Sequence, residues 1–210
     1  MRKILSLLFL FSILHAENSQ TPGIFDVWKS YKFSGNEHFK YTLNNVRGGR
    51  NPRTGTYVLD IKKEKDGYFV RLKGQYMFNR GTISGRVESS DSIAPFIMGK
   101  TMYSSTFAIF ARHILNEMFM KGSVTEKLKW EDGSLVELSF GGGRKIEGDC
   151  SFAGYKGKWL ITFRHDSIFD KTCISPQVPM PIYMKSFQPG NSYIEFELKE
   201  YLKDGQKGKK

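Results

Sequence analysis

The chain has 210 residues, 32 of them Lys or Arg against 21 Asp or Glu, for a formal net charge of +11. Beyond its first residues it contains no apolar run of the roughly 20 residues needed to span a membrane, which argues against an integral membrane protein. The charge favours anionic partners such as lipid head groups or glycans, although charges alternating along the outer face of a sheet would give the same count.

The first 16 residues, MRKILSLLFLFSILHA, have the layout of a secretory signal peptide. Two cations precede a short apolar run, and the small residue Ala16 follows it. An uncleaved anchor or a buried helix is the alternative. We therefore predict cleavage near Ala16, export to a periplasm, and one β-barrel-like domain over residues 17–203. The sequence leaves the role of residues 17–34 open.

The segment EHFKYTLNNV alternates apolar and polar residues, with Phe39, Tyr41 and Leu43 on one face. This period of two is typical of a half-buried β-strand. Asp66-Gly67 lies between two alternating runs and predicts a tight hairpin. Asn79-Arg80-Gly81 is the predicted turn of the next hairpin.

The period then changes within SSTFAIFARHILNEMFMKG. Apolar residues recur there every three or four positions, which predicts an amphipathic helix. Ser104 or Ser105 is the predicted cap at its start, and Gly122 is the predicted stop. The apolar face comprises Phe107, Phe110, Ala111, Ile114, Leu115, Met118 and Phe119.

Strand patterns resume after this helix, with turns predicted at Asp132-Gly133, near Gly154 to Gly157, and at Pro189-Gly190-Asn191. Residues 204–210 are Gly- and Lys-rich and predict a disordered basic tail. The fold class predicted is mainly β, an antiparallel up-and-down barrel or half-barrel. It has about nine strands, with one amphipathic helix packed on or in it.

Cys150 and Cys173 are the two cysteines. An even count in an exported chain predicts one structural disulfide, and its loop closure would contribute roughly 3 kcal/mol. The spacing does not match the two-residue separation of redox motifs. Free thiols or a metal site are the remaining alternatives.

Two segments resemble a periplasmic domain-of-unknown-function family: GNEHFKYTL, Gly35 to Leu43, and MPIYMKSFQPGNSYIEFELKEY, Met180 to Tyr201. The first is similar to that family's opening strand and the second to its closing strand pair. The resemblance implies a lipocalin-like or half-barrel carrier, similar in outline to periplasmic lipoprotein carriers. It supplies no catalytic residues.

Reactive side chains are scattered along the sequence. His113 and Glu117 are one helical turn apart, but two weak ligands on one helix are more often a solvated edge than a metal site. No Gly-x-Ser-x-Gly elbow is present. Arg144 and Lys145 follow a triple glycine and are candidate anion-binding residues, with a plain hairpin loop as the alternative. We predict no enzyme activity, no cofactor, no metal and no nucleic-acid partner.

The function predicted is binding of an apolar or amphiphilic, lipid-like ligand by a monomer in the cell envelope. The alternative is a module that docks on an envelope protein or an anionic glycan through its basic outer face. Composition does not tell a ligand cavity from a packed core, because packing density is not a property of the sequence pattern. The candidate ligand-binding residues are Phe107, Phe110, Ile114, Met118, Tyr57, Tyr68 and Trp159.

Overall fold

The computed structural model describes residues 32–101, 104–115, 124–129, 135–140, 144–164 and 167–204. The predicted signal peptide, Met118, Glu117, the Asp132-Gly133 turn and residues 205–210 of the predicted tail lie outside these ranges. The described residues form eleven strands, which are β1 (Glu37–Val46), β2 (Arg53–Glu64), β3 (Gly67–Tyr76), β4 (Asn79–Val87), β5 (Val124–Lys129), β6 (Leu135–Phe140), β7 (Arg144–Phe152), β8 (Tyr155–Arg164), β9 (Ser167–Ser175), β10 (Val178–Gln188) and β11 (Ser192–Lys203).

Nine of these strands form one antiparallel sheet, in the order β4-β3-β2-β1-β11-β10-β9-β8-β7. The first and last strands pair at its centre, and β5 pairs with β6 in a separate hairpin. The sheet is curved: β7 contacts β11 although three strands lie between them, which a flat sheet with strands about 4.8 Å apart does not allow. The prediction of a mainly β, antiparallel barrel or half-barrel of about nine strands is confirmed, in the form of one open sheet of nine strands.

The alternation in the sequence sets the two faces of the sheet. Phe39, Tyr41 and Leu43 of β1 are fully buried, whereas Lys40 between them is exposed. The final strand repeats this arrangement, because Phe196 is buried while its neighbours are only half buried. The buried side chains face the concave side, where they form one continuous core.

The predicted turn at Asn79-Arg80-Gly81 is wrong. Tyr76 pairs with Asn79, so Met77 and Phe78 form the two-residue turn and the three predicted turn residues begin β4. This register pairs Gly74 with Gly81 on the core side. Tertiary packing thus overrides local turn preference, since Met77 takes a φ of 53° that normally favours Gly or Asn.

Two helical segments cover the concave side, rather than the single predicted helix. The first is α1 (Ile93–Thr101), preceded by a 3-10 turn over Ser90–Ser92. The sequence pattern does not indicate this helix, because Pro95 and Gly99 interrupt the apolar period. Pro95 nevertheless lies in the first turn, where its missing N–H costs nothing. The second is α2 (Ala108–Phe110), which continues as a π-helical turn over Ala111–Leu115.

Ser104 begins the second segment through its main chain rather than its hydroxyl. Its carbonyl oxygen accepts from the N–H groups of Phe107 and Ala108, at 3.1 and 2.8 Å. The cap residue of α2 is Phe107, without a side-chain hydrogen bond. The predicted serine cap is therefore wrong in mechanism, although the helix starts within a turn of the expected place. The predicted half beyond residue 115 lies outside the described ranges.

The predicted disulfide between Cys150 and Cys173 is present, with Cα atoms 6.1 Å apart. It joins β7 to β9 across the intervening strand β8. Gly157 of β8 makes room for it, since a Cβ atom there would lie 2.9 Å from Sγ of Cys173 and 3.1 Å from Sγ of Cys150. The bridge therefore braces one edge of the sheet.

Candidate functional site

An aromatic cluster joins α2 to the centre of the concave face. The ring of Phe110 stacks on Tyr57 with centroids 5.0 Å apart and meets Tyr41 and Phe196 edge-on, each at 5.9 Å. Phe107 lies 6.4 Å from Tyr57. All five rings are at most 2% exposed. Strands β1, β2 and β11 thus supply one half of a packed aromatic core, and α2 supplies the other half.

Glycines on β3 and β4 provide the space for this segment. A Cβ atom at Gly74 would lie 2.5 Å from Cε1 of Phe107, and one at Gly81 would lie 2.8 Å from Cε2 of the same ring. Gly85 stands in the same relation to Phe96 of α1, at 2.5 Å. At these positions the strands present bare backbone, so the aromatic side chains of the helical segments occupy space that strand side chains would otherwise fill.

Two buried tyrosine hydroxyl groups hold opposite walls of the core. Tyr57 donates a 2.7 Å hydrogen bond to the carbonyl oxygen of Thr106, at the start of the helical segment. Tyr41 donates a 2.7 Å hydrogen bond to the carbonyl oxygen of Pro181 in β10. Burial raises the pKa of both phenols, so both remain neutral donors. Of these two bonds, that of Tyr57 joins the helical segment to the sheet, whereas that of Tyr41 joins two strands.

The structure brings together four of the seven predicted ligand-binding residues. Tyr57, Phe107 and Phe110 are in the cluster, and Ile114 is fully buried in the same core. Tyr68 is half buried away from the cluster, where its hydroxyl donates to the carbonyl oxygen of Phe33 at 3.3 Å. Met118 lies outside the described ranges.

Trp159 belongs to a second aromatic group, beside the disulfide. Its ring meets Phe152 and Tyr183 edge-on, at 5.8 and 5.6 Å, and Phe152 stacks on Tyr183 at 4.2 Å. Tyr183 in turn donates to Glu195, which lies on the outer face together with Asn44. Sequence spacing could not separate this group from the concave-face cluster, because both consist of aromatic residues on alternating strands.

Around Phe107 and Phe110 the concave face is filled by side chains of the described residues, which are at most 2% exposed. A ligand at this position would have to displace the helical segment. Among the described residues the polar atom of the core without a hydrogen-bond partner is Oδ1 of Asn45, whose Nδ2 donates to the hydroxyl oxygen of Tyr76 at 2.8 Å.

The titratable side chains do not form a reactive centre. His113 packs 6.2 Å from the ring of Phe196, and burial together with nearby Arg112 lowers its pKa to about 4. His38, Asp60 and Arg71 form an ion network on the outer face, with Asp60 accepting from His38 at 2.6 Å and from Arg71 at 2.8 Å. No group of three His, Cys, Asp or Glu residues suited to a metal ion occurs within the described ranges.

Arg144 and Lys145, the predicted anion-binding pair, are the first residues of β7 rather than part of a loop. The Lys145 amine lies 3.4 Å from a carboxylate oxygen of Glu147 and 5.0 Å from the ring centre of Phe163. These contacts favour a role in strand packing over capture of an anion. Anion binding at this pair stays a prediction.

One feature was missed by the sequence analysis, namely a groove on the outer face with a volume of about 560 Å³. It ends at Met77 and Phe78, the turn between β3 and β4, and Arg53 lies on its wall. Phe78 is 96% exposed. The available signal was the Tyr-Met-Phe-Asn run, which carries two large apolar residues where a hairpin usually has Asn or Gly. The groove is lined by Thr42, Leu43, Asn44, Arg53, Thr54, Gly55, Thr56, Gln75, Met77, Phe78, Glu197 and Lys199.

Comparison with known proteins yields little. No protein-family model and no curated protein sequence matches the chain. Among solved structures the chain is similar to a LolA superfamily protein from Nitrosomonas europaea, at 5% sequence identity. That match covers 89% of this chain and 94% of the other, with a TM-score of 0.26, too low to bear on the function of this chain. Within the described ranges, none of the helices has the length and apolar character to traverse a membrane.

Proposed function

We propose that this protein is a non-enzymatic binder of an apolar or amphiphilic, lipid-like ligand in the cell envelope. The ligand occupies the concave face of the sheet, and α1 and α2 form a lid that moves aside to admit it. The predicted signal peptide supports the location in a periplasm. The observation that carries the proposal is the pair of glycines beneath Phe107, which leaves a trough in the sheet for apolar groups that the strands do not supply.

The chemistry of the trough suits an acyl chain. Its floor consists of Tyr57, Leu59, Leu72 and Phe196, all at most 1% exposed. The polar group of this floor is the hydroxyl of Tyr57, which is hydrogen-bonded to the lid when the lid is closed. Burying a methylene group contributes about 0.8 kcal/mol, so a chain of ten methylenes would contribute about 8 kcal/mol. That gain can offset the loss of the lid's own contacts, which are likewise apolar.

The polar attachment of the lid is modest, in contrast to its apolar packing. Among the described residues, the hydroxyl of Tyr57 tethers the lid to the strands below by one hydrogen bond, which contributes about 1 kcal/mol. The π-helical turn over Ala111–Leu115 lacks the regular bonding of an α-helix, and such turns are frequent at functional sites. A segment of this kind can leave its seat without unfolding the sheet.

The test compares Tyr57→Phe with Tyr41→Phe in a titration with a fluorescent fatty acid. Each substitution removes one buried hydroxyl group from a 2.7 Å bond to a main-chain carbonyl oxygen, so both lose similar stability. Only Tyr57→Phe releases the lid. We expect it to bind the probe several-fold more tightly and faster than the wild type, whereas Tyr41→Phe matches the wild type.

Extraction of protein purified from its native compartment, followed by mass spectrometry, supplies the second readout. We expect a bound lipid-like molecule in a fraction of the protein. Absence of extracted ligand, together with no probe binding by either variant, would show that the concave face is only a core. Equal gains in both variants would show that general destabilisation, rather than lid release, admits the probe.

A further inference from the structure

The exposed apolar residues of the sheet are gathered at one of its ends. Among the described residues the exposed large hydrophobic side chains are Met77 and Phe78, at 40% and 96%, and Ile168 and Phe169, each at 38%. The first pair is the turn between β3 and β4, and the second pair begins β9. The register from Ser186 to Asp170 places the start of β9 at the same end as the turn between β10 and β11.

Four arginines lie at the same end of the sheet as the Met77-Phe78 tip. The N–H of Met77 donates to the carbonyl oxygen of Thr54 at 3.3 Å, which places Arg53 beside the turn, and Arg80 follows the turn in β4. Arg47 and Arg50 lie in the neighbouring loop, which is bound to the β10–β11 turn by the N–H of Gly49 donating to the carbonyl oxygen of Asn191. All four arginines are exposed.

The charge that strands β1 to β4 carry at this end is one-sided. Residues 38–59 and 67–87, which hold the four arginines and the apolar tip, contain no acidic residue. None of the four arginines forms an ion pair with another residue in the ranges that the structure describes. Among the described carboxylates of the neighbouring strands, Glu195 and Asp170 are half buried, and Glu195 accepts hydrogen bonds from Tyr183 and Asn44. Glu197, which lines the groove together with Arg53, forms an ion pair with Lys199.

The Met77-Phe78 turn exposes apolar side chains to water and has a strained backbone. Met77 has a φ of 53°, a left-handed conformation that costs a residue with a Cβ about 1–2 kcal/mol relative to glycine. The turn also presents Phe78 almost fully to solvent. A hairpin that needed only to turn would place Asn or Gly at these positions. Strain combined with exposed apolar groups is typical of a surface built for contact.

We propose that this end of the sheet docks on an anionic lipid bilayer, with Met77 and Phe78 entering the interface and the arginines binding phosphate-bearing head groups. An apolar tip ringed by cations matches the two layers of such a surface, where acyl chains lie beneath anionic head groups. A single-stranded nucleic acid could stack a base on Phe78, but the aliphatic side chains of Met77 and Ile168 offer no ring on which a base could stack. The proposal is independent of a ligand beneath the lid, because every residue it uses lies outside the concave face.

The test is sedimentation with vesicles of phosphatidylcholine, with and without 30% phosphatidylglycerol. The variants are Arg53→Gln with Arg80→Gln at the tip, and Lys62→Gln with Lys63→Gln at the other end of the sheet, where both lysines are exposed. Each double variant removes two positive charges. Both keep the same terminal segments, so any contribution of residues 1–31 to vesicle binding is the same in both. One cation near an anionic bilayer changes affinity about fivefold. We expect the arginine pair to weaken binding by an order of magnitude or more, and the lysine pair to leave it nearly unchanged.

Substitutions of Phe78 test insertion separately from charge. We expect Phe78→Ser to weaken binding to the anionic vesicles about tenfold and Phe78→Leu to retain it, because the interface takes any apolar side chain. Phe78→Trp should show blue-shifted emission that brominated lipids quench, relative to the unmodified protein. At 96% exposure none of these changes disturbs the fold.

Three results would overturn the proposal. One is an absence of vesicle binding at low salt. Another is binding that both charge-removing pairs weaken equally, since that would reflect net charge alone. The third is binding of heparin or an oligonucleotide that depends on the same arginines, with no vesicle binding, which would assign the surface to a polyanion.

Discussion

Gly74 and Phe107 share one space on the concave face, since a Cβ atom on Gly74 would lie 2.5 Å from Cε1 of the Phe107 ring and 3.0 Å from Cδ1 of Tyr57. The strand gives up a side chain, and the helical segment provides one in its place. Contact of this kind couples the position of the lid to a single backbone site in β3.

Gly74→Ala should therefore displace the ring of Phe107 from its position on the concave face. We expect a loss of about 1–3 kcal/mol in the free energy of unfolding, because the added methyl group overpacks a filled core. Denaturant titration measures the loss, and hydrogen exchange of residues 104–115 shows whether the lid opens first. Opening of the lid before the sheet is the expected order.

Gly99→Ala is the matched control, because a Cβ atom at Gly99 in α1 meets nothing within 4 Å. We expect it to stabilise the protein by about 0.5–1 kcal/mol, as alanine is favoured over glycine in a helix. Combining Gly74→Ala with Phe107→Leu should cost less than the sum of the two single changes. Full additivity would mean that the two sites do not share space.

His113 should make stability depend on pH. Its pKa in the folded protein is lowered to about 4, by burial and then by Arg112, from an ordinary value near 6.5. Between these values the unfolded chain binds more protons than the folded one, so stability falls as pH decreases from about 6.5 to about 4. The slope from this group approaches 1.4 kcal/mol for each pH unit in that window.

His113→Gln removes this titration. We expect the difference in unfolding free energy between the two proteins to be constant above about pH 7 and to shift in favour of the variant below pH 6. Parallel pH profiles over that range would show that His113 does not titrate on unfolding.

The disulfide should contribute substantially to stability, because it ties strands β7 and β9 and restricts the unfolded chain. Replacing both cysteines, Cys150→Ser with Cys173→Ser, should cost about 3 kcal/mol. Denaturant titration of the oxidised wild type, the reduced wild type and the double variant provides the measurement. The reduced wild type should resemble the variant, and a reduced protein as stable as the oxidised one would contradict the expectation.

The ion network of His38, Asp60 and Arg71 should protect against acid. Burial raises the pKa of Asp60, but the hydrogen bonds and charges of His38 and Arg71 outweigh it and leave the pKa below its ordinary value of 3.8. Stability from this carboxylate is then complete above the ordinary pKa and is lost as pH falls through the folded value. Asp60→Asn should lower the free energy of unfolding near neutral pH and change this free energy much less near pH 2.

Glu64→Gln is the control for this prediction, since the guanidinium of its ion-pair partner Arg86 is mostly exposed, at 79%. An exposed pair contributes little, so we expect a change of less than about 1 kcal/mol. Equal effects of Asp60→Asn and Glu64→Gln near neutral pH would show that the network adds nothing beyond an ordinary surface pair.

Much of the sheet was predictable because strand alternation is a local signal. The spacing of Phe39, Tyr41 and Leu43 predicted their buried face. The Asp66-Gly67 pair predicted the hairpin between β2 and β3, although the turn itself is Lys65-Asp66 and Gly67 pairs with Glu64. Cys150 and Cys173 revealed their bridge by their even number in a chain predicted to be exported. Strand β9 was not predicted because Ile168, Phe169 and Asp170 break the alternation. Helix α1 was not predicted because Pro95, which usually ends a helix, lies in its first turn.

The sequence predicted only part of the candidate site. Phe107, Phe110 and Tyr57 were chosen from helical and strand periods and do meet, but Tyr68 and Trp159 share the same pattern and lie elsewhere. The turn at Met77 and Phe78 was hidden because the nearby Asn79-Arg80-Gly81 offers a better local turn. A turn at Asn79-Arg80-Gly81 would shift the pairing of β3 with β4, so that Gly74 and Gly81 would no longer pair beneath Phe107.

By itself, the order of residues determined most of the strands, their inward faces and the disulfide, because each depends on side chains a few positions apart or on the count of one residue type. Tertiary structure alone decided that a helical segment fills the trough of the sheet, and that arginines from one loop and two strands lie at the same end as one apolar tip. Both depend on strand register and packing between distant segments, which no local period encodes.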